Sequence, residues 1–101
     1  MNTRQKGRRN EKKAKAILEG LGYQVALTAN PTKFAVEQDL FGLWDAIAVS
    51  ALDIRFIQVK SNKPPYGKQK KRYASFVCPA SASKEIWVFY DRVKKPTIIQ
   101  L

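Results

Sequence analysis

Two consecutive apolar segments, with a carboxylate inside the first, most constrain how this chain can fold. Residues 43–49 and 54–60 are rich in β-branched and aromatic side chains, and the polar residues 50–53 separate them. This pattern predicts two neighbouring strands joined by a turn. Because side chains alternate between the faces of a strand, we expect Asp45 to share a face with Ile47. An unpaired carboxylate there is costly to bury unless a cation or a cleft meets it, so we interpret Asp45 as a functional residue.

The second predicted strand carries polar side chains near its end. Gln58 and Lys60 stand two residues apart, so both should lie on the face that also carries Ile54 and Phe56. A strand end whose polar tips reach solvent would show the same pattern. We favour the interpretation in which Asp45 and Lys60 serve one site.

A helix is predicted before these strands, over residues 6–21, preceded by a flexible basic arm of residues 1–5. Glu11 lies within about 20° of Leu18 around this helix, at the margin of the apolar stripe. Two interpretations of Glu11 stay open: an ordinary i,i+4 ion pair with Lys15, or a position beside a metal. The stripe consists of Ala14, Ile17, Leu18 and Leu21, and Gly20 and Gly22 end the helix.

The other elements complete a single domain over residues 1–101. We predict strands at residues 23–28, 85–90 and 97–101, the last two as a hairpin, and a helix at residues 68–77. Residues 29–33 are predicted to be a loop or a turn, and residues 34–38 a loop or a short extension. Glu37 and Asp39 are either solvated loop acids or contributors to the Asp45 site. This order of elements predicts an α/β fold with a mixed central sheet and flanking helices.

The residue types that are missing exclude several chemistries. The chain has no histidine and one cysteine, which excludes Ser-His-Asp triads, histidine-based acid–base catalysis, internal disulfides and cysteine-cluster zinc sites. We expect Cys78 to be a small buried hydrophobe. Any hydrolysis must therefore rely on carboxylates, lysine and a hard metal ion.

The charge balance favours a polyanionic partner. Nineteen Lys and Arg residues against eight acids give a formal net charge of +11, and many of these bases are clustered. With no long apolar segment, signal peptide or lipidation motif, we expect a soluble intracellular protein without a membrane partner, located in the cytoplasm or, if phage-encoded, in that of the host cell. Tyr66 could stack on bases, whereas Tyr73 is expected to pack. The predicted DNA contacts are Arg4, Lys6, Arg8, Arg9, Lys12, Ser61, Lys63, Tyr66, Lys68, Lys70, Lys71 and Arg72.

Taken together, Glu11, Asp45 and the tripeptide of residues 58–60 resemble the active-site motif of the PD-(D/E)XK nuclease superfamily, in a Q-x-K variant. Small archaeal and phage Holliday-junction resolvases are the most similar members. They share the basic N-terminal stretch, the G-Y-x-V sequence seen here at residues 22–25, and a serine after the motif lysine, here Ser61. The resemblance spans about residues 6–90 and implies a restriction-endonuclease-like core, αβββαβ.

The resemblance implies a magnesium-dependent active site in which Mn²⁺ could substitute. Asp45, Gln58 and Glu11 would be the metal-binding residues, and Lys60 would orient or help deprotonate the attacking water. The sequence departs from the family at two positions. Trp44 replaces a proline, which should affect only strand shape. Gln58 replaces an acid, and its neutral amide should weaken metal binding unless Glu11, Glu37 or Asp39 compensates.

Three functional hypotheses remain at this stage. The resemblance favours a Holliday-junction resolvase acting in DNA recombination and repair as a homodimer, since a junction needs two opposed cuts. A nicking, repair or restriction-like nuclease of the same superfamily is the second, and a catalytically lost DNA-binding module is the third. A carboxylate on an apolar strand argues against the last. Candidate dimer surfaces, equally plausible as core, are Trp87, Phe89, Ile98, Ile99 and Leu101.

Overall fold

A mixed five-stranded sheet with one helix on each face is the framework of the protein. The computed structural model describes the backbone of residues 3–28 and 39–101, and side chains from Lys6 onward within those ranges. The elements are α1 (Thr3–Gly20), β1 (Gln24–Leu27), β2 (Ala46–Val49), β3 (Ile54–Ser61), α2 (Gly67–Ala74), β4 (Ala82–Phe89) and β5 (Thr97–Gln100).

The strands lie in chain order across the sheet. β1, β2 and β3 form an antiparallel meander, and β4 and β5 form an antiparallel hairpin. β3 and β4 are parallel, so the chain must return across the sheet between them, and α2 lies in that connection. The α/β class and the mixed sheet are therefore confirmed. The finer assignment, a restriction-endonuclease-like core, stays a prediction.

Alternation along the strands divides the buried side chains into two clusters, one on each face. On the first face, Ala14 and Leu18 of α1 pack on a set from the sheet: Ala46, Ala48, Ile57, Val59, Trp87 and Phe89. On the second face, Tyr73 of α2 packs with Trp44, Phe56, Ile86 and Val88. β3 and β4 therefore carry apolar side chains on both faces, and each face is covered by a helix or by the other cluster residues.

Helix α1 differs from its prediction at both ends. It begins at Thr3, so residues 3–5 are helical rather than a separate arm. Leu21 follows the helix and is 64% exposed, so its place in the buried stripe was wrong. The buried stripe instead extends towards the N-terminus of the helix, to Asn10. Asn10 is buried and donates a hydrogen bond from Nδ2 to Ser61 Oγ at 2.7 Å. Asn10, Ala14 and Leu18 are successive i,i+4 neighbours, which puts them on one face.

Other boundaries move for reasons of hydrogen bonding. α2 ends at Ala74, not at residue 77, because Ser75 caps it: Ser75 N and Oγ donate to Lys71 O at 2.9 and 2.7 Å. β4 begins at Ala82, since parallel pairing with β3 extends back to Ile54. The hairpin of β4 and β5 is confirmed.

The candidate dimer residues separate into core and surface. Trp87 and Phe89 are 0% and 3% exposed, so they cannot contact a second subunit in this fold. Ile99, Leu101 and the half-buried Cys78 pack against the second cluster. Ile98, 47% exposed, is the member of the set that reaches solvent. In the described ranges, neither helix is long and apolar enough to cross a membrane.

Candidate functional site

The site begins where strand β2 stops pairing with β3. Asp45 immediately precedes β2; its N–H donates to Ile57 O and its carbonyl accepts from Thr28 N, both at 2.9 Å. The next inward-facing N–H of β3, that of Val59, donates to Asp45 Oδ2 at 2.9 Å. Since strand N–H groups point within the plane of the sheet, the carboxylate lies in that plane. The expectation that Asp45 lies inside the strand, on the face of Ile47, was therefore wrong.

The Asp45 carboxylate is buried in a setting that disfavours its charge. Asp45 as a whole is only 8% exposed. Burial raises its pKa to about 7, against a lowering by the Val59 N–H and with further raising by the charges of Asp39 and Glu11 and by a side-chain hydrogen bond with Asp39. The structure thus brings both acids close enough to act on Asp45. Glu37 lies outside the described residues.

Gln58 and Lys60 flank Val59, the residue of β3 whose N–H donates to this carboxylate. Gln58 is 7% exposed, and within the described part of the chain no group hydrogen-bonds its buried Oε1. Lys60 is half-buried, with Nζ 5.8 Å from the centre of the Tyr73 ring, at cation–π distance. Tyr73 is buried as expected, and its pKa is raised by burial and by the charges of Asp45 and Asp39. Tyr73 therefore contacts Lys60 and also lies close enough to Asp45 and Asp39 for their charges to act on it.

A hard cation fits the donors that meet here. Mg²⁺ prefers oxygen ligands and keeps several waters. Asp45 brings a carboxylate to this part of the sheet, and Gln58 brings an amide oxygen that has no hydrogen-bond partner among the described residues. Among residues 6–28 and 39–101, no three His, Cys, Asp or Glu side chains are arranged to hold a metal. The fit therefore relies on Asp45 and Gln58, with Glu11 and Asp39 acting through their charge.

The N-terminal half of α1 is tied to the ends of β3 and β4 beside the site. Lys6 Nζ lies 2.7 Å from Asp91 Oδ1, and Asp91 N donates to Asn62 Oδ1 at 2.9 Å. Together with the Asn10–Ser61 bond, these contacts fix the helix turn that carries Glu11. Lys6 and Ser61, both predicted to contact DNA, thus have partners within the protein. Sequence reasoning missed Asn10, although its i−4 spacing from Ala14 was the available signal.

The predicted DNA contacts fall on two parts of the surface. On α1, Arg9 and Lys12 are exposed and Arg8 is half-buried; the side chain of Arg4 lies outside the described residues. After β3, the exposed members are Lys63, Tyr66, Lys68, Lys70, Lys71 and Arg72, of which Tyr66 is 75% exposed. Asn10 of α1 bonds Ser61 at the end of β3, and Arg72 donates to Gly42 O in the turn that precedes Asp45, so both groups lie around the end of the sheet that carries Asp45.

A second buried carboxylate, not anticipated from the sequence, lies near the start of β3. Glu85 is 3% exposed and receives two hydrogen bonds from Arg55, at 2.6 and 2.9 Å. Ser83 Oγ and Trp87 Nε1 donate to it at 2.6 and 2.9 Å. Burial raises its pKa, but these hydrogen bonds and the Arg55 charge outweigh that and lower it overall. Every oxygen of Glu85 is satisfied, so its role is structural.

Comparison of the chain with models of known protein families, with curated proteins and with solved structures gives no match. The interpretation of the site therefore depends on its own geometry. That geometry places all four predicted active-site residues, Glu11, Asp45, Gln58 and Lys60, at one end of the sheet, and it adds Asp39 and Tyr73.

Proposed function

We propose that this protein is a metal-dependent endodeoxyribonuclease that hydrolyses phosphodiester bonds in branched DNA. The observation that carries the proposal is a buried Asp45 carboxylate, its pKa raised to about 7, hydrogen-bonded to Val59 between Gln58 and Lys60 on β3. Among the described residues, no group hydrogen-bonds the buried Oε1 of Gln58. An acid kept in such surroundings destabilises the fold, so a functional demand explains it better than a structural one. The Q-x-K motif and the element order support a restriction-endonuclease-like core.

In this mechanism Asp45 and Gln58 would hold the cation, and the charge of Glu11, which acts on Asp45, would add to the negative potential there. When bound, Mg²⁺ supplies charge neutralisation at the phosphate and makes the attacking water more acidic. Lys60 brings a positive charge to the same end of the sheet, where it can orient the water and stabilise the pentacoordinate transition state. The Tyr73 ring restricts the position of the lysine ammonium. No histidine is required.

The substrate proposal is a four-way junction, cut by a homodimer. The exposed bases on α1 and after β3 lie on either side of the site and would bind the phosphates of two DNA segments. Two cuts on opposed strands require two active sites, which a twofold dimer supplies. One observation favours the binding-only alternative: Gln58 brings no negative charge to a position where the superfamily motif has an acid.

The deciding experiment is cleavage of a labelled four-way junction and of linear duplex of the same sequence, in Mg²⁺ or EDTA. We expect paired, metal-dependent nicks in the junction, lost in Asp45→Asn, whose DNA affinity stays equal or rises because a charge near phosphate is removed. Asp53→Asn, a matched change at the opposite end of β3, should cleave normally.

Each other outcome has a distinct meaning. Equal cutting of junction and duplex would support nuclease activity and contradict the proposal that the substrate is a four-way junction. Full activity in Asp45→Asn would remove the proposed active site. Binding of both DNAs without any cutting would favour the binding module.

A further inference from the structure

A tight turn next to the site holds an aromatic ring out into solvent. Leu40 and Trp44 pair through two hydrogen bonds of 2.8 and 3.0 Å, and Gly42 N donates to Asp39 O at 2.8 Å. Phe41 and Gly42 both have positive φ, 55° and 68°. A bulky side chain in the left-handed region costs about 1–3 kcal/mol, so the turn maintains an unfavourable backbone at Phe41.

The Phe41 ring is exposed but anchored. The residue is 74% exposed, while one side of the ring contacts Phe76 at 5.2 Å and Phe56 at 6.4 Å between centroids. These edge and tilted contacts tie the ring to the aromatic cluster of the second face. Phe41 therefore presents a fixed apolar surface rather than a freely rotating side chain.

Positive charge surrounds this surface. Phe41 and Leu43 line one wall of a cavity of about 440 Å³, and Lys68, Lys71, Arg72 and Ser75 of the α2 region line the rest. A guanidinium N–H of Arg72 donates to Gly42 O at 3.4 Å, which places that charge beside the turn. A flat aromatic surface bordered by three cations matches a ligand with a planar ring and adjoining anions. An unstacked nucleotide has both.

We infer that Phe41, Lys68, Lys71 and Arg72 form a site for an unpaired nucleobase and its flanking phosphates. The base stacks on Phe41 and the phosphates contact the three cations. The inference rests on the proposed function for the nature of the polymer, DNA, and deepens it. Because Asp39 of the same turn acts on Asp45, a base held at Phe41 lies close to the candidate catalytic carboxylate. Such a site selects DNA with unpaired or unstacked bases over continuous duplex.

The test measures binding without catalysis. Fluorescence anisotropy in EDTA would compare a labelled duplex carrying one unpaired nucleotide with the same duplex fully paired. Stacking on an aromatic side chain contributes about 1–3 kcal/mol per base, so Phe41→Ala should weaken binding to the unpaired substrate about tenfold, and to the paired duplex less than about twofold. Phe41→Trp should retain the preference. Leu52→Ala, which removes an 89% exposed side chain near the other end of β3, is the matched control and should change neither.

A second readout reports the base itself. With 2-aminopurine as the unpaired base, its fluorescence should fall on binding to the wild type and fall less with Phe41→Ala. Equal losses for both duplexes, an equal loss for heparin, which has no bases, or no binding to either duplex would overturn the inference. Cleavage in Mg²⁺ separates the two proposals. Cleavage without a Phe41-dependent preference would support the nuclease proposal and contradict the unpaired-base site. Phe41-dependent binding without any cleavage would support the unpaired-base site and contradict the nuclease proposal.

Discussion

The two ends of β3 each bury a carboxylate, and they treat it in opposite ways. Near the start of the strand, Glu85 receives a two-point ion pair from Arg55 and further hydrogen bonds from Ser83 and Trp87, and its pKa is lowered. Near the end, Asp45 receives one amide hydrogen bond and faces other acids, and its pKa is raised to about 7. The chain can therefore satisfy a buried acid fully, and at Asp45 it does not.

The difference distinguishes structural from functional burial of charge. A fully paired acid stabilises the fold in its ionised form, whereas Asp45 opposes folding as it ionises. Neither ion pair of the described residues involves Asp45, and the Lys60 ammonium lies over the Tyr73 ring. A bound cation would offset the unfavourable charge of Asp45, as the proposed metal-dependent function requires.

The largest expected effect is on stability at the satisfied end. Glu85→Gln leaves Arg55, whose side chain is 15% exposed, without its countercharge, and breaking a buried ion pair costs about 3–5 kcal/mol. Urea denaturation at pH 7 would measure it. The wild-type contribution of Glu85 is present above its unfolded pKa and is lost as the pH falls through the lowered folded pKa. An unchanged midpoint would mean that Arg55 and Glu85 do not depend on each other.

At the other end, the equivalent change should stabilise the protein. In the wild type, Asp45 binds its proton more tightly in the folded state than in the unfolded state, so stability falls as the pH rises from about 4 towards 7. Asp45→Asn removes this ionisable group. Without metal, the variant should therefore exceed the wild type by about 4 kcal/mol at pH 8 and match it near pH 4. Urea midpoints across this range would show it. A variant that is less stable at pH 8 would contradict the unsatisfied state of Asp45.

Lys60→Ala should reduce cleavage about 100-fold, comparable to removal of one transition-state-stabilising group. Lys63→Ala is the matched control. Because Lys63 is exposed, its loss should weaken DNA binding and its salt dependence without altering single-turnover cleavage of bound DNA. Single-turnover rates at saturating enzyme separate the two effects. An unchanged single-turnover rate in Lys60→Ala would place Lys60 among the binding residues only.

The sequence anticipated the elements of both ends but not the difference between them. Periodicity located each helix and strand of residues 3–28 and 39–101, because apolar alternation and turn residues are local signals. The partners of Glu85 and Asp45 are not local: Arg55 and Val59 lie 30 and 14 residues away along the chain. The failed prediction at Asp45 has the same origin. The alternation of side chains breaks at Asp45 because β2 begins only at Ala46, where its pairing with β3 begins. The sequence of residues 43–49 alone does not indicate this boundary. Asn10 and Asp39 were likewise visible as polar residues, but their neighbours were not.

The smallest effect, Gln58→Glu, tests whether the amide oxygen is a ligand. The substitution adds a charge to a site where Glu11 and Asp39 already raise the pKa of Asp45, so without metal it should lower stability. With Mg²⁺ the added charge should strengthen binding about tenfold, since a carboxylate replaces a neutral oxygen ligand. The readout is the rise in melting temperature with Mg²⁺ concentration, which reports affinity for the folded state without any cleavage. Gln24→Glu, at an exposed position of β1, controls for the added charge alone. A metal dependence shared by Gln58→Glu and wild type would show that Gln58 does not bind the cation. The site would then depend on Asp45 alone, too few ligands for the proposed chemistry.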